Sequence, residues 1–173
     1  MKVFGIVGWS GSGKTELVIR LIPEFIRRGI TVSTMKHTHH NFDMDKPGKD
    51  SFRHRESGAS EVMVASSARW TLLHELRDEP EEEMDDLIAR MTPVDLLLIE
   101  GFKRHRHPKL EVHRPEVGKP LIAAEDDSII AVASDISDLK GASVPILDLD
   151  DTRAIADFIS DFNGLNNSEG KRG

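Results

Sequence analysis

The eight residues from Gly8 to Thr15 constrain the fold of this chain more than any other segment. They fit the pattern GxxxxGK[ST], with a short apolar segment before them and an apolar stripe at helical spacing after them. Glycines in such a loop let successive backbone N–H groups point at phosphate oxygens, and the N-terminus of the helix adds partial positive charge. The segment therefore predicts a site for a nucleoside triphosphate with magnesium.

Individual residues of this loop have predicted roles. Lys14 would reach the terminal phosphates, and Thr15 would offer its hydroxyl to magnesium. Trp9 stands where one variant of the loop carries an early second lysine, which argues against an ATPase of the partitioning type. The residues predicted to bind the phosphates are Gly8, Ser10, Gly11, Ser12, Gly13, Lys14 and Thr15.

The periodicity of the rest of the chain predicts an α/β fold. Strands alternate with helices, which favours a mainly parallel sheet flanked by helices, with additional antiparallel strands. Residues 61–65 and 70–73, joined by a short link, are a predicted antiparallel hairpin. Residues 110–112 and 121–124 are predicted to form a second hairpin. Asp50 is the predicted N-cap of a short helix over residues 50–58. The other predicted strands cover residues 2–8, 30–35, 95–99, 129–133 and 144–147, and the other predicted helices cover residues 14–28, 81–91 and 152–162.

Length and composition predict one cytoplasmic domain. The 173 residues suit a single P-loop nucleotide-binding domain over residues 1–162, followed by a polar tail, 163–173, that we expect to be disordered. The net charge of -7 argues against general nucleic-acid binding. The chain has no cysteine, which excludes disulfides and thiolate metal sites. No apolar stretch approaches the roughly 20 residues that cross a bilayer, so we expect no membrane partner.

A second acidic element follows the apolar segment that begins at Asp95. Glu100 comes at the carboxyl end of this predicted parallel strand, on the edge of the sheet where the phosphate loop lies. Glu100 could hold magnesium or orient the attacking nucleophile. Gly101 would let the backbone approach the terminal phosphate, whereas Asp95 starts the strand and is expected to be structural.

The polar loop over residues 36–51 allows two functional interpretations. Its three histidines and its carboxylates could form a transition-metal site, although the spacing matches no zinc signature. Alternatively it is a switch-like loop over the phosphates, in which Asp43 or Asp45 holds magnesium or positions water. A solvated loop without function is the third possibility. The cations that could neutralise phosphate or an anionic second substrate are Lys36, Lys49, Arg53 and Arg55.

Two further segments bear on the ligand. The basic run over residues 103–109 is either a solvated face or a lip of the site that meets a phosphorylated ligand or an acidic partner. Ser134 and Asp135 end a buried strand on the ligand-binding edge. A carboxylate there could accept hydrogen bonds from guanine N1–H and its amine, a donor pair that adenine lacks, and this favours guanine. Asp135 could equally be a turn cap.

Taken together, these segments resemble the molybdopterin-guanine dinucleotide biosynthesis protein B (MobB) family. The resemblance extends in family order from about residue 3 to residue 160. It is carried by Trp9-Ser10-Gly11, Lys36-His37-Thr38-His39-His40, Asp45-Lys46-Pro47-Gly48-Lys49-Asp50-Ser51, Glu100-Gly101-Phe102-Lys103 and Ala131-Val132-Ala133-Ser134-Asp135.

The resemblance implies a P-loop NTPase fold and a homodimeric GTP-binding accessory protein in molybdenum cofactor synthesis, with weak hydrolysis of GTP. Its partner would be the guanylyltransferase that joins GMP to molybdopterin, and molybdopterin itself is a further possible ligand. The predicted catalytic residues are Lys14, Glu100 and Asp45, and the predicted magnesium ligands are Thr15, Glu100 and Asp45. Two other functions stay open at this level: a small-molecule kinase and a non-catalytic, nucleotide-dependent adaptor.

Overall fold

The structure, a computed structural model, describes residues 1–38 and 42–166. The chain divides into two compact units, Met1–His37 with Thr92–Gly173, and Thr38–Met91. This division falls inside residues 1–162, predicted from length to be one domain, and that prediction stays a prediction. Residues 167–173, most of the predicted disordered tail, lie outside the described residues, as do His39, His40 and Asn41 of the histidine-rich loop.

Strands and helices alternate along most of the chain. They are β1 (Lys2–Val7), α1 (Lys14–Arg27), β2 (Val32–Lys36), α2 (Asp50–Glu56), β3 (Glu61–Ala65), β4 (Trp70–His74), α3 (Met84–Ala89), β5 (Leu96–Glu100), β6 (Lys109–His113), β7 (Ile129–Ser134), β8 (Ile146–Asp148) and α4 (Thr152–Asn163). Two short 3-10 helices, Pro115–Val117 and Ile122–Ala124, lie between β6 and β7. None of the described helices is long and apolar enough to cross a membrane.

The first unit contains a six-stranded sheet in the order β2-β5-β1-β6-β7-β8, and every neighbouring pair is parallel. The predicted parallel sheet is therefore confirmed. Helix α1 buries its stripe of Leu17, Val18, Leu21 and Phe25 in the main apolar core, together with residues of α4 and of the sheet. Because the strands are parallel, their carboxyl ends meet at one edge, and the segments after β1, β2, β5, β6 and β7 all begin there.

The predicted hairpin of residues 110–112 with 121–124 is wrong. Residues 109–113 form β6, which pairs in parallel with both β1 and β7, whereas Ile122–Ala124 is a 3-10 helix. The Glu111 carboxylate explains the difference, because it accepts hydrogen bonds from the backbone N–H groups of Ile122 (3.0 Å) and Ala123 (2.8 Å). These bonds take the place of the predicted strand pairing.

Strand β6 carries charged side chains into the interior. Lys109 is almost fully buried, and its ammonium contacts the Asp126 carboxylate at 2.8 Å. The same ammonium donates to the carbonyl oxygens of Lys103 (2.9 Å) and His105 (2.7 Å). Charged groups this deep are stable only when paired and hydrogen-bonded. Lys109 therefore fixes the basic loop that follows β5.

The second unit contains an antiparallel ribbon of β3 and β4, which confirms the predicted hairpin of residues 61–65 with 70–73. The prediction that Asp50 caps α2 is wrong. Lys49 is the N-cap, with extended backbone, and Asp50 is already the first helical residue. Arg55, a predicted phosphate ligand, forms ion pairs with Asp43 (3.0 Å) and Glu75 (3.3 Å) inside this unit.

Candidate functional site

The phosphate loop follows β1 and lies against β6. Gly8 has φ of 148°, and a Cβ atom there would lie 2.4 Å from the Val112 carbonyl oxygen. Any other residue at this position would push the loop off the sheet. The chain then enters α1 at Lys14, so the loop residues stand at the N-terminus of a 14-residue helix. This is the local geometry that the sequence pattern predicts for phosphate binding.

Ser12 and Lys14 present polar groups at this loop. The Ser12 side chain is 1% exposed, and its hydroxyl has no hydrogen-bond partner within the described part of the chain. The Lys14 ammonium donates to the Trp9 carbonyl oxygen at 2.8 Å. A buried unpaired hydroxyl costs free energy that an incoming acceptor recovers. An acceptor with several oxygens, such as a phosphate, fits this requirement.

Positive charge accumulates around the loop. Burial lowers the pKa of Lys14; the Glu100 carboxylate opposes this shift, and the neighbouring ammonium groups of Lys103 and Lys36 add to it. Lys103 also lies over the ring of Trp9, with its ammonium 4.3 Å from the ring centroid. Like charges held together disfavour each other's charged form. A polyanion bound among them removes that penalty.

Thr15 and Glu100 meet at the end of β5. The Thr15 hydroxyl donates to Glu100 Oε1 at 2.7 Å, and the glutamate is largely buried. The pairing of β1 with β5 sets this contact, because Ile6 is in register with Glu100. The structure thus joins two predicted magnesium ligands from segments 85 residues apart. Hydroxyl and carboxylate oxygens are suitable donors for a hard divalent cation, whose remaining positions phosphate and water can fill.

Lys36 lies at the same pair of oxygens. Its ammonium is 3.2 Å from Glu100 Oε1 and 3.4 Å from Thr15 Oγ1. The sequence indicated Lys36 only as one of several cations that could neutralise phosphate. The structure is more specific, since it places a positive charge against the two oxygens predicted to hold magnesium.

The turn after Glu100 is tightly packed. Gly101 has φ of 101°, and a Cβ atom there would lie 3.1 Å from the Cβ of His37. Phe102 has φ of 49° despite its side chain, and its ring centroid lies 4.4 Å from that of His37. The glycine is therefore needed where the ends of β2 and β5 meet. Its predicted contact with the terminal phosphate stays a prediction.

Ser134 and Asp135 lie at a cavity of about 270 Å³, lined by residues 134–137 and 146–148. The lining combines the apolar side chains of Ile146 and Leu147 with the carboxylates of Asp135 and Asp148. Apolar side chains can contact the faces of a planar base, and carboxylates can accept hydrogen bonds from the donors on its edge. Sequence reasoning missed Asp148. Its signal is a carboxylate at the end of a short apolar strand, which gains meaning only when β8 is known to pair with β7.

Arg114 is a second residue that sequence reasoning missed. Its Nη1 donates to Asp135 Oδ2 at 2.9 Å, and its Nε lies 3.7 Å from the position of a Cβ atom built on Gly13. One guanidinium therefore spans from the phosphate loop to the predicted base-reading carboxylate. Arg114 directly follows β6, whereas the predicted hairpin puts this residue in the link between two antiparallel strands, away from the ligand-binding edge.

Asp45 belongs to the second unit. Its Oδ1 accepts hydrogen bonds from the Ser51 hydroxyl (2.8 Å) and the Lys46 backbone N–H (3.0 Å), and its Oδ2 is buried with no partner among residues 1–38 and 42–166. Its predicted catalytic and magnesium roles stay predictions. Over the same described ranges, no group of three or more His, Asp or Glu side chains could hold a metal ion.

Comparison with known proteins places this geometry in a family. The sequence model described as Molybdopterin guanine dinucleotide synthesis protein B matches residues 3–135. The chain is 42% identical over 160 residues to the molybdopterin-guanine dinucleotide biosynthesis adapter protein of Escherichia coli K12, covering 91% of this chain and 90% of that protein. It is also 42% identical over 173 residues to the adapter protein of Haemophilus influenzae, covering 98% and 93%.

Solved structures agree with the fold. The crystal structure of molybdopterin-guanine biosynthesis protein B matches with a TM-score of 0.71 and 26% identity, over 92% of this chain and 99% of that one. The crystal structure of Bacillus subtilis MobB matches with a TM-score of 0.73 and 24% identity, over 93% and 97%. The predicted P-loop α/β fold is thereby confirmed. Because the family model matches residues 3–135 and two relatives are 42% identical over most of their lengths, the chain belongs to the MobB family.

Proposed function

We propose that this protein binds GTP with Mg²⁺ at the carboxyl edge of its sheet and assists the synthesis of molybdopterin guanine dinucleotide. Binding of GTP with Mg²⁺ is supported by the arrangement at the phosphate loop, where Glu100 lies beside Thr15 and interacts with Lys14. The names of the relatives, adapter proteins of molybdopterin-guanine dinucleotide biosynthesis, support the second half of the proposal. Its partner is then the guanylyltransferase that joins GMP to molybdopterin.

The phosphates are bound by the chain's own donors. Backbone N–H groups at the start of α1 and the Lys14 ammonium bind phosphate oxygens, and the buried Ser12 hydroxyl gains the partner it needs. Thr15 and Glu100 would hold the magnesium ion, which neutralises charge on the phosphates. Lys103 and Lys36 add positive charge around the loop. The same groups would bind any nucleoside triphosphate, so they leave the base undetermined.

Recognition of guanine is assigned to the cavity at β7 and β8. Asp135 would accept hydrogen bonds from N1–H and the exocyclic amine of guanine, and Ile146 and Leu147 would contact the faces of the ring. Adenine presents no such pair of donors. Arg114 donates to Asp135 Oδ2 at 2.9 Å and the Ser134 hydroxyl contacts Oδ1 at 3.5 Å, so the two guanine donors would bind the remaining lone pairs of this carboxylate.

Calorimetric titration with GTP, GDP and ATP, with and without Mg²⁺, tests the nucleotide proposal. We expect GTP to bind more tightly than ATP, and Lys14→Ala to weaken GTP binding by about a hundredfold, the loss of roughly two charge-assisted hydrogen bonds. Lys2→Ala is the matched control, because Lys2 is exposed at the opposite end of β1. Normal GTP binding by Lys14→Ala would contradict the proposal.

Weak hydrolysis of GTP is proposed as well, with Glu100 positioning the attacking water. The relatives are called adapter proteins, and this favours a second possibility, that bound nucleotide only sets the conformation that the partner enzyme recognises. The two are separated by Glu100→Gln, assayed for GTP hydrolysis and for support of dinucleotide formation by the guanylyltransferase. Lost hydrolysis with retained support would favour binding without chemistry, whereas loss of both would favour a role for hydrolysis.

A homodimer is the assembly implied by the family resemblance, and the ribbon of the second unit supports it. On one face Met63 pairs with Leu72 and Ala65 pairs with Trp70, and all four side chains are exposed. Exposed apolar surface of this kind is typical of interfaces. If this face joins two copies, Leu72→Glu lowers the mass measured by light scattering to that of a monomer. Thr71→Glu, on the opposite face, should leave the mass unchanged; equal masses for both variants would reject this interface.

A further inference from the structure

Lys36 ends β2 directly beside the end of β5. The two strands are parallel, and Lys36 is in register with Glu100, so both side chains leave the sheet on the same side. The backbone on either side is fixed, because the His37 N–H donates to the Glu100 carbonyl oxygen at 2.9 Å. The position of the lysine relative to the glutamate is therefore set by the sheet and not by a flexible loop.

The Lys36 ammonium shares its two contacts with the predicted magnesium site. It lies 3.2 Å from Glu100 Oε1 and 3.4 Å from Thr15 Oγ1, and those two oxygens are themselves hydrogen-bonded at 2.7 Å. Lys14 donates to the Trp9 carbonyl oxygen instead. Of these two lysines, Lys36 is the one in contact with the oxygens that a divalent cation would use.

The contact is also easy to break. The Glu100 side chain is largely buried and needs a nearby positive charge, but the Lys36 side chain is 60% exposed. Water competes for an ammonium group that is this exposed, so the attraction between the two charges is weakened. Such a pair neutralises a buried carboxylate, yet the lysine side chain can leave the contact at little cost in free energy. This is the behaviour expected of a counter-ion that exchanges.

We propose that Lys36 is an internal counter-cation that exchanges with the divalent metal at Thr15 and Glu100. The inference deepens the proposed function and rests on it for its biological meaning. When a divalent cation holds the two oxygens, the ammonium leaves them. Its charge stays at the phosphate end of the site, because β2 fixes its backbone. Lys36 thus lowers the dependence of triphosphate binding on magnesium and positions charge there without being a metal ligand.

The first experiment uses Mn²⁺ alone, without nucleotide, as a paramagnetic probe of the two oxygens. Because Lys36 competes with the ion for the same oxygens, Lys36→Met should bind Mn²⁺ at least about fivefold more tightly than the wild type, the effect expected from removing an adjacent like charge. Lys36→Arg should remain close to the wild type. Lys2→Met is the control for a general change in net charge, and it should not change the affinity. Equal Mn²⁺ affinities for Lys36→Met and the wild type would overturn the inference.

The second experiment measures the affinity for a non-hydrolysable GTP analogue in EDTA and in saturating Mg²⁺. The ratio of the dissociation constant in EDTA to that in Mg²⁺ should increase about tenfold in Lys36→Met, because only the wild type keeps the Lys36 ammonium in contact with Glu100 when Mg²⁺ is removed. An unchanged or smaller ratio would count against Lys36.

The two proposals fail differently. If the wild type binds no analogue under either condition but Lys36→Met binds Mn²⁺ more tightly, the nucleotide proposal fails and the counter-cation stands. If the analogue binds and neither Mn²⁺ affinity nor the ratio changes, the counter-cation fails and the nucleotide proposal stands.

Discussion

Strands β5 and β6 lie on either side of β1, and both are buried along their whole length, yet they are stabilised differently. Strand β5 is apolar from Leu96 to Ile99 and carries one charge, Glu100, at its end. Strand β6 alternates apolar residues with Lys109, Glu111 and His113. The hydrophobic effect, which does not depend on the direction of contacts, stabilises β5. Strand β6 depends instead on hydrogen bonds and an ion pair, which require particular partners.

The register makes this comparison precise. Ile99 on β5 and Lys109 on β6 are both paired with Gly5 of β1, so their side chains occupy equivalent positions on one face of the sheet. Ile99 is fully buried, and Lys109 nearly so. The polar strand also fixes its surroundings, since Lys109 bonds the loop that carries Lys103 and Glu111 bonds residues 122 and 123. A buried charge therefore positions loops at the site, which a buried isoleucine cannot do.

The largest expected effect comes from placing methionine at both equivalent positions. Lys109→Met removes half of a buried ion pair and two hydrogen bonds to carbonyl groups, so we expect the free energy of unfolding to fall by about 3 to 5 kcal/mol. Ile99→Met nearly conserves volume and should cost under about 1.5 kcal/mol. Urea unfolding of both variants measures the difference. Similar losses would mean that β6 is no more dependent on polar contacts than β5.

Lowering the pH should destabilise the region around β6 more than the apolar part of β5. His107, 7% exposed, lies just before β6, and neither ring nitrogen has a hydrogen-bond partner among the residues described. Burial lowers its pKa to about 4, and the charges of Lys109 and His105 add to the shift. The unfolded chain, with a pKa of about 6.5, takes up the proton first. Stability from neutral His107 is therefore complete above about pH 6.5 and is lost as the pH falls through 6.5 toward 4.

The resulting loss is about 2 to 3 kcal/mol between pH 6.5 and 4. His107→Gln should abolish most of this dependence, measured as the free energy of unfolding at several pH values. The apolar part of β5, residues 96–99, has no titratable side chain, so Ile99→Met should keep the wild-type pH profile. An unchanged profile for His107→Gln would assign the acid sensitivity to other groups.

Glu100, at the end of β5, should affect nucleotide affinity mainly when Mg²⁺ is present. Glu100→Gln keeps the shape of the side chain but removes its negative charge, so we expect affinity for Mg²⁺-GTP to fall about tenfold and affinity in EDTA to change less. Calorimetry under both conditions provides the comparison. Equal losses with and without Mg²⁺ would show that Glu100 does not act through the ion.

Replacing Arg114, which follows β6, should have the smallest effect on nucleotide affinity. Arg114 is partly exposed, and its charge lies near Gly13, so Arg114→Met should weaken GTP and ATP alike by several-fold, corresponding to about 1 kcal/mol. Asp135→Asn is the contrasting variant, because it should lower the preference for GTP over ATP. Competition binding with both nucleotides distinguishes the two. A loss confined to GTP in Arg114→Met would mean that the arginine acts on the base.

The phosphate half of the site was predictable because one continuous segment carries it. Gly8 to Thr15 determines the loop, and an acidic residue ending an apolar strand indicated Glu100, which the structure brings to Thr15. The parallel arrangement also followed from alternating strands and helices. In these cases local pattern and tertiary packing favour the same result.

The other half depends on partners distant in sequence. Buried charges on β6 are stable only because Asp126 and the backbone near Ile122 satisfy them, and these partners lie at least 11 residues away in sequence. Arg114 and Asp148 become site residues only once β6, β7 and β8 are adjacent. A single sequence gives no local signal for that adjacency.

The hydrogen bond between Trp9 and Pro120 has a practical consequence. The indole Nε1 donates to the Pro120 carbonyl oxygen at 2.7 Å, with the ammonium groups of Lys103 and Lys119 near the ring. The sequence has two tryptophans, and the other, Trp70, lies exposed in the second unit. A Trp70→Phe protein thus contains one intrinsic fluorophore, located in the phosphate loop itself. Its emission offers a label-free optical record of ligand arrival, fast enough to follow in a stopped-flow instrument.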